Sequence, residues 1–217
     1  RNDKVLYPKK PHSFYHLSKV HDSHNLEFSC RVWGLRVTDL NQGVVYGTST
    51  KETEMHEDLQ TSFHYDHVFG TGLNRFLVQA AINMPLTVYG EGSQTRPALN
   101  INDTISCIEI AINNPSQKGE FRVFNQFTES FQINNLAKLV KKVSENHNIP
   151  ATIKNIENPR TEQMNHYYNA RNTCLKELGL NPIYLNEEVL GEMFSKILKY
   201  KDRVKIASIL PSIKWVQ

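Results

Sequence analysis

The chain has 217 residues, of which 39% are apolar and 22% are charged. Because this length and composition are enough to bury a hydrophobic core, they exclude a disordered or fibrous protein. The net charge of +3 is small, and Asp202 interrupts the densest basic stretch, residues 196–205, which indicates a solvated helix face rather than a nucleic-acid-binding surface. The chain has three widely spaced cysteines, which exclude a disulfide framework and indicate a reducing compartment. It has no apolar run of about 18 residues, which excludes a membrane span. We therefore expect a cytoplasmic protein, or a stromal one if the source is a plant.

Hydrophobic periodicity and capping residues predict strands and helices that alternate along the chain. A first helix is expected after Pro11, with Ser13 as its N-cap. A strand near 35–40 is followed by a turn at Gly43 and by a polar stretch, 47–67, that is long enough to be a lid. The pattern then predicts helices at 71–83, 104–112 (capped by Asn102 and Asp103), 133–144, 173–178 and 187–200, and strands at 86–89, 98–101, 121–124 and 152–156. Such alternation is typical of α/β proteins with parallel strands.

The sharpest chemical signal lies on the first predicted helix, where Tyr15 and Lys19 are about one turn apart on the same face. A phenol is a weak base at neutral pH because its pKa is about 10, but a neighbouring ammonium group stabilises the phenolate. Such a pair can take a proton from a hydroxyl group while a hydride leaves the same carbon atom. The same spacing occurs by chance in many helices, so the pair alone is weak support for this chemistry.

Histidines near this helix raise the alternative of a metal site. His12, His16, His21 and His24 are separated by four, five and three residues, and no HExxH sequence occurs. Because only residues three or four apart share a helix face, these spacings give no recognisable set of ligands. We therefore predict no metal.

Five longer stretches narrow the interpretation: SFYHLSKVHDSH (13–24), TDLNQGVVYG (38–47), YDHVFGT (65–71), FRVFNQFTE (121–129) and HYYNA (166–170). Together with the tyrosine–lysine pair they resemble the extended short-chain dehydrogenase/reductase family, and within it the UDP-sulfoquinovose synthase branch. The resemblance extends from about Tyr7 to Trp215, nearly the whole chain.

The resemblance implies NAD as the cofactor, and UDP-glucose and sulfite as the substrates. They would be converted to UDP-sulfoquinovose and water through 4-keto intermediates. Tyr15 would be the base, Lys19 would also hold the nicotinamide ribose, and Gln42 would approach the nicotinamide and the glucose.

The resemblance also implies contacts to the rest of the sugar nucleotide. Arg96 and Arg160 would bind the phosphates, a task that suits the forked guanidinium group. The other implied substrate contacts are His16 near C6 of the sugar, Asn41 near the phosphates, Gln42 near the glucose, Thr87 and Tyr89 along the uracil, and Glu162 at the uridine ribose.

One part of the family pattern is missing from these residues, namely the Gly-rich strand–turn–helix that cradles the NAD pyrophosphate. We therefore expect the C-terminal part of a Rossmann-type doubly wound parallel sheet plus a smaller α/β substrate-binding domain, active only when completed. Residues 1–70 are predicted to belong to the NAD-binding domain and 71–217 mainly to the UDP-sugar-binding domain, with 98–128 returning to the Rossmann sheet.

Two other functions stay open on the sequence alone. A UDP-sugar 4-epimerase or 4,6-dehydratase would use the same hydride step without sulfite. A non-catalytic sugar-nucleotide-binding fragment would use the binding residues only. In each case we expect a homodimer that neither binds nucleic acid nor inserts into a membrane.

Overall fold

The structure is a computed structural model that describes residues 9, 11, 13–159 and 170–211. Its helices are α1 (Phe14–Trp33), α2 (Gly72–Ala81), α3 (Ile101–Asn113), α4 (Ile133–Asn146), α5 (Cys174–Glu177) and α6 (Glu187–Lys199). Its strands are β1 (Val37–Gln42), β2 (Val44–Tyr46), β3 (Leu86–Tyr89), β4 (Thr95–Asn100), β5 (Phe121–Gln126), β6 (Glu129–Gln132) and β7 (Ile153–Ile156). This order confirms the predicted α/β class.

The strands form three small groups, and most of their pairings are parallel. β1 pairs with β5 and β3 pairs with β7, both in parallel. β4 lies between β2, to which it is parallel, and β6, to which it is antiparallel. The β1–β5 pair joins residues far apart in sequence, and the return of 98–128 to the first sheet stays a prediction. The division into two domains stays a prediction.

Two strands were not predicted from the sequence. β2 has only three residues between Gly43 and Gly47, too few for an alternating pattern. β6 has the sequence ESFQ, which is mostly polar, and it forms because its backbone pairs with β4. Strand formation here depends on a distant partner, which local propensity does not reveal.

The predicted boundaries of β4 and α3 were also wrong. β4 begins at Thr95, three residues before the predicted start, where it pairs with the end of β6. α3 begins at Ile101 rather than Thr104, because Asn100 is its N-cap: the Asn100 side chain accepts a hydrogen bond from the backbone nitrogen of Asn102 at 2.9 Å.

The main core lies where α2 and α4 pack against β3 and α6 packs against these two helices. Its fully buried side chains include Phe76, Leu77, Leu86, Val88, Val140 and Phe194. Eight of the ten residues of α2 are buried, so the polar side chains of Arg75 and Gln79 are forced into the interior and need hydrogen-bond partners there. None of the helices within the described ranges is long and apolar enough to cross a membrane.

Candidate functional site

The tyrosine–lysine pair lies in the first turns of α1. Ser13 caps this helix, because its hydroxyl oxygen accepts a hydrogen bond from the backbone nitrogen of His16 at 3.1 Å. Lys19 Nζ is 5.6 Å from the centroid of the Tyr15 ring and 3.4 Å from Asp22 Oδ2. Tyr15 is 67% exposed, so its phenol is open to a ligand. The structure therefore brings Tyr15 and Lys19 together on an accessible helix face.

His16 lies beside this pair. Its ring contacts the Tyr15 ring edge-on, with 5.5 Å between the centroids, and its Nδ1 is 3.0 Å from Ser13 Oγ. The N-terminal cap therefore orients His16 next to the phenol, and its role near C6 of the sugar stays a prediction.

A hydrogen bond between α1 and β1 indicates which end of β1 lies near the tyrosine–lysine pair. Ser23 Oγ donates to Asp39 Oδ2 at 2.6 Å, and a short turn after Gly34 makes β1 run back along the helix. Along α1, Tyr15 lies about 12 Å from Ser23, toward the start of the helix. Along β1, Gln42 lies about 10 Å beyond Asp39, in the same direction. The carboxyl end of β1 therefore points toward the end of α1 that carries the pair.

Amide side chains meet at the carboxyl ends of β1 and β5. The parallel register aligns Asn41 with Asn125 and Gln42 with Gln126. Gln42 Nε2 donates to Gln126 Oε1 at 3.3 Å, and Asn125 Nδ2 donates to the backbone oxygen of Arg171 at 2.7 Å. Ligands of α/β proteins bind at the carboxyl ends of parallel strands. Sequence reasoning gave Asn125 and Gln126 no role, because only the register reveals that they lie beside Asn41 and Gln42.

The two predicted uracil contacts on β3 have different environments. Thr87 is 5% exposed: Gln79 Nε2 donates to Thr87 Oγ1 at 2.8 Å, and the Thr87 backbone nitrogen donates to Gln79 Oε1 at 3.0 Å. The Thr87 side chain is therefore engaged inside the core. Tyr89 is half-buried, and the Arg75 guanidinium carbon lies 4.0 Å from the centroid of its ring, in the range of a close cation–π contact.

Arg96 lies on β4 beside a small cavity of about 60 Å³. Its Nη1 donates to the backbone oxygen of Thr95 at 3.2 Å. Gly72, the first residue of α2, lines the same cavity, and a helix N-terminus favours negative charge. The remaining wall is apolar and includes Val44, Leu73, Phe131 and Leu185. Arg96 and the first residue of α2 thus line one small and largely apolar space.

A buried carboxyl cluster, not predicted from the sequence, fixes the backbone at 183–185. Tyr46 Oη donates to Glu129 Oε1 at 2.6 Å, and the backbone nitrogen of Leu185 donates to the same oxygen at 2.9 Å. Asp103 accepts from the backbone nitrogen of Ile183 at 3.0 Å. Burial raises the pKa of the Glu129 and Asp103 carboxyl groups above the usual values, and burial next to Glu129 raises the pKa of Tyr46. The cluster anchors this segment to β2, β6 and α3.

The stretch 47–67, predicted as a possible lid, is anchored near both ends. Lys196 Nζ donates to Ser49 Oγ at 2.9 Å, and Lys199 Nζ lies 3.2 Å from Glu57 Oε1. Farther along, the backbone nitrogen of Lys205 donates to Tyr65 Oη at 2.8 Å. The stretch is therefore braced by α6 and the residues after it, and its role as a lid stays a prediction.

Three predicted or considered residues lie outside the described part of the chain. Arg160 and Glu162, the implied phosphate and ribose contacts, are among them, as is His12. Within the described ranges, no group of three or more His, Cys, Asp or Glu side chains is arranged to hold a metal ion.

Comparisons with known proteins give a consistent result. The model of the NAD dependent epimerase/dehydratase family matches residues 1–125. The chain is 55% identical over 99% of its length to the UDP-sulfoquinovose synthase, chloroplastic, of Spinacia oleracea, of which it covers 45%. It is 41% identical over 99% of its length to the UDP-sulfoquinovose synthase of Sulfolobus acidocaldarius, of which it covers 55%. The chain thus spans about half the length of these curated relatives.

A solved structure extends the comparison to the fold. The UDP-glucose 4-epimerase of Thermotoga maritima, solved with UDP-glucose, superimposes with a TM-score of 0.66 at 21% identity. The match covers 91% of this chain and 59% of that one. At this level of identity the likeness concerns the fold alone, and it supports the predicted Rossmann-type architecture.

Proposed function

This chain belongs to the NAD-dependent epimerase/dehydratase family, and on that premise we propose that it carries the catalytic and sugar-nucleotide-binding residues of a UDP-sulfoquinovose synthase. The proposed reaction converts UDP-glucose and sulfite to UDP-sulfoquinovose and water. The observation that carries the proposal is the similarity, over nearly the whole chain, to two relatives of this name. The activity belongs to the whole protein, by which we mean this chain together with the further length that those relatives have.

Tyr15 and Lys19 suit the part of NAD that would reach them. Both lie on one accessible face of α1, and the ammonium group of Lys19 has further donors beyond its contact with Asp22. Lys19 would bind the hydroxyl groups of the nicotinamide ribose. Bound NAD would supply the acceptor, and later the donor, of a hydride at C4 of the sugar.

Proton transfer would be the task of Tyr15. Its Oη would take the proton of the sugar 4-hydroxyl, and the Lys19 ammonium would stabilise the phenolate. A ketone at C4 acidifies the proton at C5, so the C6–O bond can break with loss of water. Sulfite then adds to C6, and a C6–S bond replaces the C6–O bond. His16, beside the phenol, would face this region of the sugar.

The remaining residues would hold the sugar nucleotide. Arg96 would bind the negative diphosphate, because its guanidinium group offers a fork of charged donors. Tyr89 would offer its partly exposed ring to the uracil, whereas Thr87 would contribute packing, because its hydroxyl is engaged by Gln79. Asn41 lies at the carboxyl end of β1, where a phosphate or sugar would pass.

The proposal also covers two further substrate contacts, the oligomeric state and the location of the whole protein. Arg160 would bind the diphosphate and Glu162 the uridine ribose. The whole protein would be a homodimer. It would act in the cytoplasm, or in the chloroplast stroma of a plant, since the spinach relative is named chloroplastic.

Incubation of the whole protein with UDP-glucose, NAD and isotopically labelled sulfite tests the proposal. We expect label in a sugar nucleotide that retains UDP, because sulfite becomes part of the product. A reaction without sulfite is the control. Conversion of UDP-glucose to another UDP-sugar without incorporation of label would contradict the proposal and would favour a 4-epimerase or a 4,6-dehydratase.

A further inference from the structure

Two glutamine side chains meet where β1 and β5 end. Gln42 Nε2 donates to Gln126 Oε1 at 3.3 Å, and Gln126 Nε2 donates in turn to the backbone oxygen of Thr104, on α3, at 3.2 Å. Gln126 is 1% exposed, whereas Gln42 is exposed. A chain of hydrogen-bonded amides therefore runs from the core to the open end of β1.

The Thr104 oxygen determines how both amides are turned. A backbone carbonyl oxygen can only accept, so Gln126 must turn its NH₂ group toward Thr104 and its oxygen toward Gln42. That oxygen in turn requires a donor, which is the NH₂ group of Gln42. Reversing either amide would place two acceptors or two donors against each other, which is costly for a buried group such as Gln126. The Gln42 oxygen is therefore turned away from Gln126 and presented to a ligand, beside the second N–H of the same amide.

We infer that Gln126 is a positioning residue that makes Gln42 present a hydrogen-bond acceptor to the bound ligand. The inference rests on the proposed function, in which Gln42 approaches the nicotinamide and the glucose. It specifies the chemistry that Gln42 recognises, since an amide oxygen binds only donors. The group that the Gln42 oxygen recognises is thus a sugar hydroxyl or the NH₂ of a carboxamide.

The orientation is testable on the 217-residue chain without any ligand. Gln126→Met keeps the length of the side chain and removes both of its polar groups. We expect the side-chain NH₂ protons of Gln42, followed by NMR, to exchange with solvent about three- to tenfold faster, the loss of one neutral hydrogen bond. Gln117→Met, at an exposed position, is the matched control and should leave this exchange unchanged. Equal exchange in wild type and Gln126→Met would overturn the inference.

Gln126→Glu gives a second test, in the whole protein, that a merely structural role would not reproduce. A buried carboxyl group favours its protonated form, and that form can donate to the Thr104 oxygen and accept from Gln42. The ionised form loses the contact with the Thr104 oxygen but still accepts from Gln42, so Gln126→Glu keeps the acceptor that orients Gln42 in either form. On α3, Cys107 contacts Gln126, and burial raises the pKa of its thiol, so the thiol does not compete as a charged group.

The measurement is the dissociation constant of UDP-glucose, in the presence of NAD, across a range of pH. We expect Gln126→Glu to bind UDP-glucose like wild type across this range, because it keeps the acceptor for Gln42, whereas Gln126→Met binds about three- to tenfold more weakly at every pH. Equally weakened binding by Gln126→Glu and Gln126→Met would overturn the inference. If the wild type does not bind UDP-glucose, the proposed function fails, and the exchange measurement still decides the orientation of Gln42.

Discussion

The hydrogen bonds between α2 and β3 allow a quantitative test of how β3 is held. On one edge, Leu86 donates its backbone N–H to the oxygen of Thr152, next to β7. On the other edge, no strand pairs with Thr87 in the described structure. There the Thr87 backbone nitrogen donates to Gln79, and Arg75 donates to the Thr87 backbone oxygen. Gln79→Leu keeps a side chain of similar size, but leaves the backbone nitrogen and the hydroxyl of Thr87 buried with no partner.

The expected cost follows from the number of groups left unsatisfied. Each buried polar group without a partner costs about 1–3 kcal/mol, so after partial relaxation Gln79→Leu should lower the free energy of unfolding by about 2–4 kcal/mol. Thr87→Val removes only the hydroxyl contact and should cost about 1–2 kcal/mol. The two changes together should cost less than their sum by about 1 kcal/mol, because they break one shared hydrogen bond.

Urea unfolding of the 217-residue chain and its variants measures these differences from the midpoint at constant slope. Gln117→Leu, at an exposed position, is the control and should stay within about 0.5 kcal/mol of wild type. A change below about 0.5 kcal/mol for Gln79→Leu, or strict additivity of the two variants, would refute the reasoning.

Three further predictions concern ligands and pH. Arg96→Ala should weaken binding of UDP-glucose to the whole protein by about 1.5–3 kcal/mol, with Arg96→Lys in between; calorimetry that finds unchanged affinity would remove Arg96 from the phosphate site. Burial raises the pKa of Glu129 above its unfolded value, so folding takes up a proton and stability falls as pH rises from the unfolded pKa through the folded one. Glu129→Gln should flatten this dependence in urea titrations, and an unchanged slope would contradict it. The 217-residue chain alone should bind NAD weakly or not at all, because it has no Gly-rich turn, and micromolar affinity by calorimetry would disprove this.

Local features of the sequence predicted the elements that have local causes. The Ser13 cap predicted the start of α1, because capping depends on residues within one turn. The bounds of β3 were predicted correctly because Pro85 and Gly90 flank it in the sequence. The spacing of Tyr15 and Lys19 likewise predicted that the two side chains share a helix face, since that depends only on helix geometry.

Features that depend on distant partners were not predictable in this way. The alignment of Gln42 with Gln126 depends on the register of two strands separated by a long stretch of chain. The hydrogen bond from Gln79 to the Thr87 hydroxyl depends on the packing of α2 against β3. The sequence therefore predicted that Thr87 lies in a strand, but not that its hydroxyl has a partner inside the core. Clusters such as Tyr46 with Glu129 and Asp103 form only when three separate elements meet.

We propose that Tyr15 is the base of an NAD-linked oxidation at C4 of UDP-glucose in the whole protein. Single-turnover formation of reduced nicotinamide by the whole protein, followed by absorbance, measures this step directly in wild type and Tyr15→Phe. The variant keeps the ring and removes only the hydroxyl, so UDP-glucose binding should persist. We predict that the rate falls by about 10²–10⁴, the usual contribution of a general base. Formation of reduced nicotinamide by Tyr15→Phe at the wild-type rate would contradict the account.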